Sequence, residues 1–230
     1  MDDRLSGPQS HGETGPCRCD VRGGQTMLVQ RNDDRPEIHP DAWVAPTAHL
    51  VGNVTVGPGC VIDHGATIVS SGPPVHLDSG VAVMPGAVVR SVGGTHRPAF
   101  PVRIGADTLV GPLAALAGCT LGAACYVATG VMVFQGALVG DGTRLSAGSI
   151  VHVTTALPPN SRVGLRHYAV PRGDGTPVIT ADLAEARRLL AAAGFFTEVF
   201  GEDDPDLAAL HRTATRTLRD EALTWTDTPL

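Results

Sequence analysis

Aromatic residues are scarce in this chain, at 4% of 230 residues, although 43% of the residues are hydrophobic. An interior with so few rings has to be filled by Val, Ile, Leu and Ala, which suits a narrow prism better than a broad core. The chain is instead rich in glycine and proline, with 28 and 18 residues. These two residue types favour tight turns.

Other absences exclude whole classes of protein. No apolar run approaches the roughly 18 residues of a membrane span, and the first residues lack the apolar segment of a signal peptide, so we expect neither. The net charge is −6 and there is no block of basic residues, which argues against nucleic acid as a partner. The five cysteines are an odd number, and Cys60, Cys119 and Cys125 occupy small core positions. We therefore expect a reducing, cytoplasmic location.

An aliphatic residue recurs every six residues along most of the chain. The residue four places further on is small or β-branched almost throughout, as at Ala48, Cys60 and Thr108. A fixed six-residue period of this kind is typical of β-helices. Eighteen positions carry the period: Val44, Leu50, Val56, Ile62, Ile68, Leu77, Val83, Val89, Ile104, Val110, Leu116, Leu121, Val127, Val133, Val139, Leu145, Val151 and Leu157.

Each hexapeptide predicts one short strand and one corner, and three hexapeptides complete a triangular coil. The aliphatic side chains point into the prism and stack on one another at the strand spacing of about 4.8 Å. Eighteen positions divided by three give six coils. A β-sandwich of short strands is the alternative, but sandwiches do not hold a fixed period for so long. The predicted fold class is therefore all-β, a parallel β-helix of about six triangular coils followed by C-terminal α-helices.

The chain divides into three predicted segments. Residues 1–26 are polar, glycine-rich and without a period, and we expect a disordered tail. Residues 27–165 form the β-helix domain and residues 166–230 a helical segment. The first helix is expected over residues 181–193, capped by Thr180. The second helix has an apolar face at three- and four-residue spacing, formed by Leu207, Leu210, Ala214 and Leu218.

Two segments resemble the coils of γ-class carbonic anhydrases and their relatives: IHPDAWVAPTAHLVGNVTVGPGCVI and VGPLAALAGCTLGAACYVATGVMVFQGALVGDGTRLSAGSIVHVTTALPPNS. The resemblance covers about residues 36–165. It implies that the β-helix is left-handed, that a helical segment packs along it, and that the protein is a homotrimer with sites between subunits. Hexapeptide acyltransferases share the same prism, so the fold alone does not identify the chemistry.

The chain departs from that family at the zinc site. The resemblance places the family's three zinc-binding histidines at Arg90, Pro112 and Ala117, and none of these side chains is a zinc ligand. The family's Arg-Gly-Asp segment and Gln-Asp pair are here VSS at residues 69–71 and MP at residues 84–85, and the GPHAHL segment of some relatives is GPLAAL. We therefore expect no zinc, no other cofactor and no hydration of carbon dioxide, because that reaction needs the metal to lower the pKa of water.

The period also indicates what lies in place of the zinc site. The aliphatic positions from Val44 onward are assigned in turn to faces a, b and c. The residues that follow them on face b then form one column: Val51, Val69, Arg90, Ala117, Phe134 and His152. Arg90 is expected to face a cleft between subunits and to bind an anion such as a carboxylate. The rest of the predicted substrate-binding set is Met84, Leu113, Ala117 and Phe134, which form an apolar floor, with His64 and His152 about two coils away.

The loop at residues 91–103 interrupts the period for more than one hexapeptide. Long loops in a tight prism are often functional. In the resembled family a loop here carries a carboxylate proton shuttle, whereas this loop has His96 and Arg97. We predict His96 and Arg90 as catalytic residues, because histidine transfers protons near neutral pH. The structural alternatives are a solvated His96 and an Arg90 that pairs with an acid across the trimer.

Three functions stay open at this point. The first is a metal-independent enzyme, of the lyase or isomerase type, that acts on a small organic substrate at the interface of a homotrimer. Its apolar cleft suits a larger substrate than carbon dioxide. The second is a non-catalytic scaffold that keeps the fold and has lost the site. The third is a hexapeptide acyltransferase dependent on coenzyme A, which would need a catalytic histidine such as His96.

Overall fold

The computed structural model describes residues 27–94, 97–193, 206–224 and 226–230. The tail expected at residues 1–26 and the predicted catalytic residue His96 lie outside the described residues. Within them, three sheets of short strands enclose one core of aliphatic side chains.

The strands of each face lie one coil apart along the prism. Face b contains β1 (Met27–Arg31), β4 (His49–Val51), β7 (Thr67–Val69), β10 (Val88–Arg90), β15 (Ala115–Ala117), β18 (Met132–Val133), β21 (Ile150–Val151) and β24 (Tyr168–Pro171), with β25 (Pro177–Thr180) and β26 (Asp227–Pro229) antiparallel at its two edges. Face c contains β2 (Glu37–Ile38), β5 (Val54–Val56), β8 (Val75–Leu77), β13 (Val102–Ile104), β16 (Thr120–Leu121), β19 (Leu138–Val139) and β22 (Ala156–Leu157). Face a contains β3 (Trp43–Val44), β6 (Val61–Ile62), β9 (Ala82–Val83), β14 (Leu109–Val110), β17 (Tyr126–Val127), β20 (Arg144–Leu145) and β23 (Arg162–Val163). Outside the prism, β11 (Val92–Gly94) and β12 (Arg97–Phe100) form an antiparallel hairpin.

Successive hexapeptides lie on successive faces, as the period predicts. Val127, Val133 and Val139 belong to faces a, b and c. Neighbouring coils pair in parallel with the repeat positions in register, as in Leu50 with Ile68. The predicted fold class, a left-handed parallel β-helix with C-terminal helices, is confirmed.

The prism is longer than the six predicted coils. Eight parallel strands on face b and seven on each of the other faces give between seven and eight turns. The inward column continues past Leu157 with the buried residues Val163 and Ala169, and it begins with the partly buried Ile38. The prediction missed them because they lie in the terminal coils, where the period has no neighbour on one side.

The core consists of the predicted positions. Seventeen of the eighteen are at most 4% exposed. The exception, Val44, is only partly buried because β3 is the edge strand of face a. Glycine follows several inward positions because the coils approach closely there. A Cβ at Gly105 would lie 2.5 Å from the backbone nitrogen of Ala123 in the next coil.

The C-terminal segment closes both ends of the prism. Helix α1 (Leu183–Ala192) packs against β24 and β25 and buries Ala186. Its N-cap is Asp182, whose carboxylate accepts a hydrogen bond from the Ala184 amide, and not Thr180 as predicted. The hydroxyl of Thr180 instead accepts from the Asp182 amide, two residues before the position that caps the helix.

Helix α2 (Leu207–Thr224) begins after Asp206, whose carboxylate accepts hydrogen bonds from the amides of Ala208 and Ala209. The chain then returns to the first coil, where β26 pairs with β1 and the Asp227 carboxylate binds the Arg31 guanidinium at 2.9 Å. Strands β25 and β26 are therefore the two edge strands of face b. No helix in the described ranges is long and apolar enough to cross a membrane.

Candidate functional site

The predicted face-b column exists, and its residues are in register. Arg90 pairs with Val69 on one side and with Ala117 on the other. Phe134 and His152 continue the column, since Leu116, Val133 and Val151 are paired directly before them. Successive members are about 4.8 Å apart along the prism, so Arg90 lies about two strand spacings from Phe134.

Arg90 is exposed, but its backbone is held firmly. Its carbonyl accepts a hydrogen bond from the Gly118 amide at 2.9 Å. The next residue, Ser91, is fully buried, and its hydroxyl accepts from the Ser71 amide at 2.8 Å. The Arg90 guanidinium itself forms no hydrogen bond or ion pair with any residue in the described part of the chain. It is therefore available to an anion from outside this subunit.

His152 and Phe134 form an aromatic pair at the other end of the column. Their ring centroids are 5.4 Å apart and the rings are tilted by 36°. The Val153 amide donates to Nδ1 of His152 at 3.0 Å, so the neutral ring carries its proton on Nε2. Burial lowers the pKa of His152 below its ordinary value, because desolvation disfavours the charged imidazolium.

His64 lies elsewhere, on the corner between faces a and b, which we call the a–b corner. It occupies the same corner position as Pro112, two coils away, with Pro85 between them. Its Nδ1 is 2.8 Å from the Thr47 hydroxyl, and its ring meets Trp43 edge-on at 6.1 Å. These contacts fit the structural interpretation of His64, a corner histidine with local partners.

Met84 and Leu113 also lie on the a–b corner. Met84 is half-buried, whereas Leu113 is 68% exposed and has a φ of +57°. A left-handed backbone is unfavourable for a large side chain. Local backbone energetics therefore do not explain why an exposed leucine occupies this position. Within one subunit the structure therefore brings Arg90, Ala117, Phe134 and His152 into one column, and it leaves His64, Met84 and Leu113 on a separate ridge.

The hairpin β11–β12 contributes a contact that sequence reasoning missed. Phe100, in β12, lies over two glycine corners beside the column. A Cβ at Gly118 would be 2.5 Å from Cβ of Phe100, and one at Gly136 would be 3.3 Å from its Cε1. The spacing from Leu116 to Leu121, one residue shorter than the period, was a signal for this contact, because the shortened corner contains Gly118.

The outward surfaces of the three faces differ in polarity. Face c carries polar residues at its outward positions over five coils, at Glu37, Thr55, His76, Arg103 and Thr120, and then the exposed Leu138. Face a is apolar over five coils at Trp43, Val61, Ala82, Leu109 and Tyr126. Trp43 and Tyr126 are 41% and 50% exposed. An exposed apolar strip of this length is typical of a surface that contacts another protein.

The described cysteines are unsuited to catalysis or metal binding. Burial raises the pKa of the Cys119 thiol to about 12, and it raises the pKa values of Cys60 and Cys125 as well. Such thiols stay protonated at neutral pH, and only the thiolate is a good nucleophile or metal ligand. Among the described residues no group of three or more His, Cys, Asp or Glu side chains is placed to hold a metal ion.

Comparison with known families identifies the repeat. Residues 35–70 match the family described as bacterial transferase hexapeptide (six repeats). The six-residue repeat of this chain is therefore similar to the repeat of that family. The relatives of the chain include the mitochondrial γ carbonic anhydrase 2 of Arabidopsis thaliana, with 29% identity over 133 residues that cover 57% of this chain and 48% of that protein. The expected resemblance to γ-class carbonic anhydrases is therefore confirmed.

Other relatives have different names. The carboxysome assembly protein CcmM of Synechocystis sp. is 32% identical over 152 residues, which cover 61% of this chain and 22% of CcmM. A solved structure of UDP-N-acetylglucosamine O-acyltransferase from Moraxella catarrhalis aligns with a TM-score of 0.40 and 14% identity over 81% of this chain and 91% of that one. The chain spans about half the length, or less, of the curated relatives described here.

Proposed function

We propose that this protein is a homotrimer with a metal-independent site for a small organic acid, and that it is an enzyme of the lyase or isomerase type. The observation that carries the proposal is the position of Arg90. Its guanidinium has no partner among the described residues and lies in a column that continues with Ala117 and Phe134. A cation beside an apolar surface suits a ligand with one carboxylate and an apolar body.

The apolar surface supports the homotrimer. The outward strip on face a and the exposed Leu113 on the a–b corner would be covered by a second copy of the chain. The resemblance to γ-class carbonic anhydrases implies that the a–b corner of one subunit faces the face-b column of its neighbour. In that arrangement the corner residues His64, Met84 and Leu113 of one subunit complete the column of another.

The residues at the family's zinc positions do not fit that metal. Arginine, proline and alanine at positions 90, 112 and 117 offer no lone pair to zinc at neutral pH. Arg90 supplies positive charge without Lewis acidity, so it orients an anion but does not generate hydroxide. In this proposal His96 transfers a proton to or from the bound acid.

The test is ligand-induced thermal stabilisation of the full-length protein. A panel of monocarboxylates from acetate to cinnamate is compared with the matching alcohols, for wild type, Arg90→Gln and Arg103→Gln. Arg103 is also exposed but lies on face c, so it is a matched control. We expect binding of at least one acid to weaken about tenfold or more in Arg90→Gln, the usual effect of losing a charged hydrogen bond. If Arg90→Gln and wild type bind the acids equally well, Arg90 does not bind the ligand and its role is structural only.

A non-catalytic scaffold is the second candidate. The observation that favours it is the similarity to CcmM, which is named as an assembly protein. If no acid stabilises an intact trimer, the scaffold becomes the better proposal. The acyltransferase alternative is tested in the same assay by adding coenzyme A, whose binding would favour it. The match to the transferase hexapeptide family over residues 35–70 supports only the repeat itself.

A further inference from the structure

The hairpin β11–β12 is fixed to the prism by one aromatic side chain. Phe100 extends from the corner at Gly118 to the corner at Gly136, since its Cβ is close to the first glycine and its Cε1 close to the second. Both glycines have positive φ values, of 54° and 72°. These corners therefore lack a side chain where the ring packs.

The two strands of the hairpin approach closely at Gly93. Val92 pairs with Phe100 and Gly94 with Arg97, and the register shifts by one residue between these two pairs. Gly93 has a φ of 104°, and a Cβ there would collide with the carbonyl oxygen of Pro98. The close approach of the strands at Gly93 and the packing of Phe100 on the prism both restrict movement of the hairpin base.

The position of Phe100 relates directly to the face-b column. Gly118 follows Ala117 in the chain, and Gly136 comes two residues after Phe134. Phe100 consequently borders the column on the side of face c, along the stretch from Ala117 to Phe134. The chain is poor in aromatic residues, at 4%, yet both phenylalanines of the described residues lie here. Aromatic side chains beside a guanidinium favour flat apolar groups.

We propose that Phe100 is a specificity-determining residue that narrows the groove above Ala117, and that the preferred ligands are flat aryl or unsaturated monocarboxylates. The carboxylate binds Arg90, and the flat part lies over Ala117 towards Phe134. Two strand spacings separate Arg90 from Phe134, which corresponds to a ligand body of roughly 8–10 Å. Acids with branched or paired rings are excluded by Phe100. This inference rests on the carboxylate site proposed above.

The test compares two acids that differ in width, cinnamate and diphenylacetate, by calorimetric titration of the full-length protein. Wild type is expected to prefer cinnamate. Phe100→Ala is expected to shift the affinity ratio towards diphenylacetate about tenfold or more, which corresponds to about 1.4 kcal/mol, because the steric clash with the second ring is relieved. Leu138→Ala, on face c, is the control and should leave the ratio unchanged.

A second variant and a second measurement distinguish the loss of the Phe100 contact from misfolding of the Phe100→Ala variant. Phe100→Leu keeps an apolar contact with the glycine corners and should shift the ratio less than Phe100→Ala. Amide hydrogen exchange of residues 92–94 and 97–100 should accelerate in Phe100→Ala, since the anchor is removed. An unchanged affinity ratio in both variants, with Arg90-dependent binding intact, overturns the role of Phe100 alone. If wild type binds another acid of the panel but neither cinnamate nor diphenylacetate, the ligand class proposed here is wrong and the carboxylate site stands. If it binds no acid of the panel, the carboxylate site is refuted as well.

Discussion

The imidazole of His152 lies against the ring of Phe134, with the ring centroids 5.4 Å apart. Burial lowers the pKa of His152 in the folded state below its ordinary value of 6.5. The folded protein therefore binds fewer protons than the unfolded chain between that lowered pKa and about pH 6.5. The free energy of unfolding should rise with pH across this window and fall as the pH drops through it.

This pH dependence should be reduced in His152→Gln, because glutamine does not titrate. Urea unfolding of wild type and variant checks this expectation. It is measured at several pH values between about 5 and 8, a range that extends above the pH window in which the stability should change. His49→Gln is a matched control, since His49 is exposed on the same face. An equal slope of stability against pH in wild type and His152→Gln would show that His152 contributes nothing to it.

The proposed homotrimer makes a prediction about two exposed leucines. Leu113, on the a–b corner, and Leu138, on face c, are 68% and 54% exposed in one subunit. Light scattering of wild type should give three times the chain mass of 23.7 kDa. Leu113→Asp should shift the protein towards monomer, because it buries a carboxylate in an apolar interface. Leu138→Asp should leave the mass unchanged, and a monomeric wild type would remove the proposed site.

Metal analysis tests the expectation that this protein binds no zinc at the positions of the family's zinc ligands. We expect purified protein to contain far less than one zinc per chain, and a chelator to leave the melting temperature unchanged. The reverse experiment is the triple substitution Arg90→His, Pro112→His and Ala117→His. Arg90 and Ala117 are paired across neighbouring strands, so two imidazoles there lie close enough to share a metal ion. Zinc binding by the triple variant but not by wild type would support the assignment, and stoichiometric zinc in wild type would contradict it.

The inward column should dominate stability. Leu116 is 1% exposed and packs between the coils above and below. Leu116→Ala should lower the free energy of unfolding by about 2–5 kcal/mol, as for other buried leucines. Leu138→Ala, at an exposed position, should cost well under about 1 kcal/mol. Chemical unfolding followed by circular dichroism measures both, and similar costs would mean that the core is not where the period places it.

The six-residue period was sufficient to predict a parallel β-helix and the face-b column, whereas the left-handed sense was implied by the resemblance to γ-class carbonic anhydrases. Each hexapeptide places an aliphatic residue inward and a small residue at the corner. Parallel stacking repeats this arrangement from coil to coil, so it does not depend on residues that are distant in the sequence. Arg90, Ala117, Phe134 and His152 share one column for this reason. The length of the prism was underestimated only at its terminal coils.

Contacts that depend on how separate segments meet were decided only by the tertiary structure. Phe100 packs on Gly118 and Gly136 because an inserted hairpin folds back along the edge of the prism, and its direction is not encoded in the period. Arg31 meets Asp227 across 196 residues because the C-terminal strand returns to the first coil. In a repeat, each residue contacts others at a fixed distance in the sequence. The position of an insertion or a terminal segment depends instead on side-chain packing and on free strand edges, and these exist only once the prism has formed.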